Sequence, residues 1–101
     1  MVIWRVVEAW AHLDAERFDQ AAESARLAIA WNAAFPDAHA VLASALGHAG
    51  RLEEARTALD ECTGRLPGLT LRDPRLTRPF RRGADRERFL DGLRKAGLPE
   101  A

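Results

Sequence analysis

The chain has 101 residues, which bounds it to one domain, and 48% of them are apolar, enough to build a modest core. Residues 1–66 hold 6 basic and 10 acidic groups, a net of −4, while residues 67–101 hold 9 and 5, a net of +4; this excludes a globally basic nucleic-acid binder but leaves the last third locally basic. No run approaches the ~20 apolar residues of a membrane span, and the single cysteine, Cys62, excludes an intramolecular disulfide and is compatible with a reducing compartment.

Ile3, Val6, Val7, Trp10 and Leu13 mark a first helix. Arg5 and Glu8 interrupt its apolar run and no small-residue cleavage site follows, so it reads as a helix and not as a secretory signal, with the cytoplasm as the default compartment. A short turn near Ala15–Arg17 leads to a second helix with Phe18, Ala21, Ala22, Ala25, Ala28 and Ile29 on its stripe, closed by Phe35-Pro36. The third helix, Asp37 to Ala49, has Ala38, Val41, Leu42, Ala45, Leu46 and Ala49 at spacings of three and four. Pro36 precedes it, Asp37 is placed to cap it and Gly50 ends it. The fourth starts at Leu52 and carries Ala55, Leu59, Cys62 and Leu66, with Glu53 and Glu54 favouring the dipole in its first turn. Only Gly50 and Arg51 join the third and fourth helices, so these lie side by side and antiparallel. Gly68, Pro74 and Pro79 make residues 68–83 a loop, with at most a short turn around Pro74–Thr77. A last helix within residues 84–97, with Phe89, Leu90 and Leu93 on its stripe, ends at Gly97 and Pro99.

The two hairpins repeat. Arg17-Phe18-Asp19-Gln20-Ala21 aligns with Arg51-Leu52-Glu53-Glu54-Ala55 at an offset of 34 residues. One hairpin cannot bury its own apolar face, so hairpins stack, and Ala21 and Ala55 let neighbouring helices approach. Residues 37–67, with Leu42-Ala43, Gly50, Leu52-Glu53-Glu54-Ala55, Leu59 and Pro67, resemble one tetratricopeptide repeat. Residues 2–36 resemble a more divergent copy, in which Glu16 stands where glycine is usual and the proline comes three residues late. His39 and Leu46 stand where the family usually has tryptophan and tyrosine. The segments Gly50–Arg56, Leu66–Thr70, Pro79-Phe80-Arg81 and Phe89–Glu100 are together similar to the C-terminal end of bacterial adenylate cyclase-related and TolB-like regulators, in which such repeats follow a catalytic or DNA-binding domain. The resemblance implies an all-α fold: antiparallel hairpins stacked as a right-handed solenoid, with the last helix as a C-terminal cap. It implies a regulatory or scaffolding unit and no activity, since a cyclase domain is larger than the whole chain.

No constellation for chemistry stands out. His12, His39 and His48 lack the i, i+4 spacing of a helical zinc pair, and Cys62 has no second cysteine, so no metal or cofactor is expected. Cys62 lies on an apolar stripe as packing, and His39 and His48 are expected to be partly exposed. Ser24, Ser44 and Thr63 have no nucleophile-elbow context, and no glycine-rich phosphate loop appears. The chain is therefore not read as an enzyme.

Two surfaces are candidates for binding. If the repeats curve as the family's do, the first helices line an inner groove: Ile3, Val6, Trp10, Leu13 and Asp14 from one hairpin, and Asp37, Ala40, Ser44, Gly47 and His48 from the next. A protein or peptide would dock there. Trp31, on a second helix, is expected to pack. The spread of Val2, Ile3, Trp4, Val6, Val7, Trp10 and Leu13 over more than one face leaves apolar surface open at the first helix; a missing preceding repeat, a partner or a second copy of the chain would cover it. The alternative surface is the arginine cluster. Arg72, Arg75, Arg78, Arg81 and Arg82, with Arg86 and Arg88, suit an acidic peptide, a phosphate or, less favoured, nucleic acid. The competing reading has several of these arginines pinning the tail to acids of the repeats such as Asp60 and Glu61.

Overall fold

The computed structural model describes residues 2–31, 36–73 and 83–100, with side chains described from Val7 onward except at residues 36 and 37. It contains α1 (Val2–Asp14), α2 (Phe18–Trp31), α3 (Pro36–His48), α4 (Leu52–Arg65) and α5 (Gly83–Ala96), and no strand among the described residues. Pro36 opens α3 instead of standing before it. Its ring presets the helical φ, and the amide hydrogen it lacks would have had no helical partner there. The capping role expected of Asp37 concerns a side chain outside the described residues.

The 34-residue period holds at every helix boundary of the two hairpins: α3 repeats α1 and α4 repeats α2, start to start and end to end. The turns repeat atom for atom. In the second hairpin Ala49 N donates to Ala45 O, Gly50 N to Gly47 O, Arg51 N to Leu46 O and Ala55 N to Arg51 O. In the first, Ala15 N donates to Ala11 O, Glu16 N to Leu13 O, Arg17 N to His12 O and Ala21 N to Arg17 O. Such a turn needs one residue with positive φ. Gly50 supplies it at +78°, and Glu16 is forced to the same place at +61°. For a side-chain-bearing residue that conformation costs roughly 1–2 kcal/mol. Glu16→Gly is therefore expected to stabilise the chain by about 1 kcal/mol in urea denaturation, allowing for the greater freedom of glycine in the unfolded chain. An unchanged or lowered midpoint would count against strain at Glu16.

The core runs through both hairpins. Trp10 and Leu13 of α1, Ala21, Ala25 and Ala28 of α2, Val41, Ala45 and Leu46 of α3, and Ala55, Leu59 and Cys62 of α4 are buried. The buried residues of α2 are all alanine except Ser24, which lets neighbouring backbones approach. Two sequence expectations change here. His39 is buried at 4% exposure, because α3 is enclosed by neighbours on most of its circumference. Trp31, expected to pack, is 72% exposed.

The last helix departs from a simple continuation of the repeats. Within them, α3 packs mainly on α2 and less on α1, so a following repeat would rest mainly on α4. Instead α5 lies along α3, as closely as α4 does, and touches α4 and α1 only at the margins. Leu52, expected on the apolar stripe, is consequently 54% exposed, although its equivalent Phe18 stacks on His48 of the next hairpin with ring centroids 4.5 Å apart. The chain beyond α5 is tied down as well. Gly97 turns at φ +111°, Leu98 N donates to Leu93 O, and Leu71 N donates to Pro99 O at 2.9 Å, burying Leu69, Leu71 and Leu98 together.

Candidate protein-interaction site

Of the groove residues predicted from the first helices, Trp10, Asp14, Ser44, Gly47 and His48 meet α5. Trp10 of α1 meets Phe89 of α5 with ring centroids 4.7 Å apart and planes tilted by 58°, a favoured aromatic geometry. Leu13, Ala40 and Ser44 are buried, as are Phe89 and Leu93 of α5. Ser44 Oγ donates to Phe89 O at 2.8 Å. His48 Nε2 lies 2.6 Å from Arg88 O. A carbonyl oxygen only accepts, so Nε2 carries the hydrogen, and the Nδ1 lone pair then faces the Lys95 ammonium at 3.5 Å. Arg88 reaches back across the groove. Its guanidinium donates to Asp14 O at 3.2 Å and to Asp85 at 2.9 Å, and stands 3.8 Å from Glu16.

Two glycines set how closely the helices cross. A Cβ on Gly47 would fall closer than 3.0 Å to Gly92 O, and a Cβ on Gly92 would fall equally close to Ser44 Oγ and O and to the His48 ring. The crossing therefore works only without a side chain at either of these two positions. Ile3, Val6 and Asp37 sit on α1 and α3, but their side chains are outside the described residues.

Of the anion candidates, Arg72 is exposed, and Arg75, Arg78, Arg81 and Arg82 lie outside the described residues. The arginines of α5 stand against carboxylates: Arg86 by Glu87, Arg88 as above, and Arg94 between Asp91 and Glu100. Arg94 holds the Glu100 carboxyl below its ordinary pKa, helped by the charge of Arg72, and Glu100 in turn raises Arg94. Arg88 does pin the tail to the repeats, but its partners are Glu16 and the Asp14 carbonyl at the first turn, and not Asp60 or Glu61. Glu61 pairs instead with Arg65 of its own helix.

A second concavity opens on the opposite side of α3, where Ile29, Leu42, Leu46 and Ala58 line a cavity of about 430 Å³ between α2 and α4. Its rim is an ion network in which Glu54 meets Arg26 at 2.9 Å and Arg51 at 2.7 Å. Arg26, then Arg51, hold the Glu54 carboxyl below its ordinary value of 4.5. A depressed carboxylate contributes stability above its unfolded pKa and loses it as pH falls through the folded one. The rim is solvent-exposed, so the expected effect is small. The urea midpoint should fall more steeply below about pH 4.5 in the native chain than in Glu54→Gln. Parallel pH profiles would contradict the pairing.

Comparison with known families gives a match that falls on the hairpins. The tetratricopeptide repeat profile matches residues 12–68, more than half of the chain. The chain belongs to the tetratricopeptide repeat family. No curated protein and no solved structure matches it. Tetratricopeptide repeats form a helical interaction fold and generally bind proteins or peptides. The matched span covers α2, α3 and α4 and the end of α1; α5, which fills the groove, lies beyond it. Among the described residues, no group of three metal-ligating side chains gathers, and no helix is long and apolar enough to cross a membrane.

Proposed function

We propose that this tetratricopeptide domain is a non-catalytic, cytoplasmic protein–protein interaction unit with a regulatory or scaffolding role. The observation that carries the reading is the pair of hairpins with identical turn bonding at the family's period. Its groove candidates are Ile3, Val6, Trp10, Leu13, Asp14, Asp37, Ala40, Ser44 and His48. The proposal extends to a relation with the repeat region of a larger signalling protein, of the kind that bacterial adenylate cyclase-related and TolB-like regulators carry at their C-terminal ends. The exposed side chain of Val7 on α1 supports self-association through the apolar N-terminal helix as an additional contact.

Salt separates this reading from anion binding through Arg72, Arg75, Arg78, Arg81 and Arg82. Partner affinity is expected to change little between about 50 and 200 mM salt, whereas a contact made of several phosphates loses roughly 10³-fold or more over that range. A steep loss would move the site to the arginine segment. For self-association, light scattering should show a mass that rises with concentration in the native chain and falls back in Val7→Glu. A monomeric mass throughout would remove that contact.

A further inference from the structure

We infer that the groove on α1 and α3 recognises an amphipathic helix by its backbone and its residue register, and that α5 is an intramolecular occupant exchangeable for such a helix from a partner. The inference rests on the interaction reading above and specifies its ligand. The required pattern is the one α5 presents: an aromatic residue (Phe89), glycine three positions later (Gly92), leucine next to it (Leu93), and a small residue one turn further (Ala96).

The groove's hydrogen bonds to α5 do not read side chains. Ser44 Oγ and the His48 ring both bind main-chain carbonyls, at Phe89 and Arg88. Any helix with its backbone at the same depth offers those carbonyls. The depth is set by the Gly47–Gly92 crossing, which no side chain fits. Specificity therefore lies in the glycine and in the aromatic ring that meets Trp10. A transferable recognition of this kind is the helix-in-groove mode.

The attachment of α5 also suits exchange. Its outer face is charged, and its contact with α4 is marginal. Residues 66–82 connect α4 to α5, whereas residues 15–17 and 49–51 suffice within the hairpins; the Leu71–Pro99 bond and the buried Leu69, Leu71 and Leu98 open with the helix. A helix of this length is marginal by itself in water, so released α5 unfolds and the opening is local. While α5 is docked, a partner's apparent affinity is lowered by the fraction of chains that are open.

The test uses the full chain and a fluorescent peptide of residues 83–100. Gly92→Leu in the chain evicts its own α5 and leaves Ser44, Gly47 and His48 intact. The native peptide is expected to bind this variant at least about tenfold tighter than it binds the native chain. The peptide carrying Gly92→Leu should bind neither. No gain of affinity in a folded Gly92→Leu chain, or equal binding of the two peptides, overturns the inference. If circular dichroism shows that Gly92→Leu unfolds the hairpins, hydrogen exchange on the native chain decides. Amides of α5 exchanging at least about tenfold faster than those of α3 support detachment, and equal protection overturns it. A protein partner that binds while α5 stays protected overturns this inference but leaves the interaction reading standing. Peptide exchange by a chain that captures no protein supports the inference and counts against that reading alone.

Discussion

Phe89→Ala is expected to lower the unfolding free energy by about 3–5 kcal/mol, the range for truncating a buried phenylalanine. The ring is 1% exposed and is the largest fully buried side chain among the described residues. Its removal leaves Trp10 without the tilted ring 4.7 Å away, a contact that adds about 0.5–1.5 kcal/mol to simple burial. Against a total of ~5–15 kcal/mol for a domain, such a loss is large. Because α5 rests mainly on α3, its detachment is expected to precede unfolding of the hairpins, so the variant should show a separate early transition in urea. Glu23→Ala, at an exposed site on α2, is the control and should stay within about 0.5 kcal/mol of the native chain. A loss below about 1 kcal/mol for Phe89→Ala would mean that α5 contributes little to the fold.

The second large effect is a reversal of sign between two glycines. Glycine inside a helix normally costs about 0.5–1 kcal/mol relative to alanine. Gly64, in the last turns of α4, has open space where a Cβ would go, so Gly64→Ala should stabilise by roughly that amount. Gly47 sits inside α3, but its Cβ would collide with the backbone oxygen of Gly92, which cannot swing away as a flexible side chain would. Overpacking there is expected to cost about 1–3 kcal/mol and to outweigh the gain in helix propensity. Paired urea titrations of Gly47→Ala and Gly64→Ala check this. Stabilisation by both substitutions would place α5 away from α3.

The hairpins were legible in the sequence because their information is local. Alternation at three and four residues defines the buried stripes, short links force antiparallel pairs, and the 34-residue offset ties Gly50 to Glu16. The positive φ at Glu16 confirms the departure from glycine that the alignment exposes. The docking of α5 was not legible, for a physical reason. Phe89, Leu90 and Leu93 state which face of the helix is apolar but not what it meets, and a long connection leaves several destinations open. Small residues at Ala40, Ser44 and Gly47 read equally well as the floor of an empty groove or as the bed of a packed helix. Gly92 was the missed signal. A glycine in mid-helix beside the apolar stripe marks a close backbone approach, and Gly47 offers the matching surface. Leu52 misled in the opposite direction: stripe position predicts burial only where a neighbouring element covers it, and α5 lies elsewhere.

One structural claim underlies these expectations, that α5 occupies the groove of the two hairpins. The most direct measurement is a nuclear Overhauser spectrum of the isotope-labelled full chain. Cross-peaks between the Cα hydrogens of Gly47 and Gly92, and between the Trp10 and Phe89 rings, are the predicted result. A helical α5 with no cross-peaks to α3 or α1, alongside intact contacts among α1, α2, α3 and α4, would contradict it.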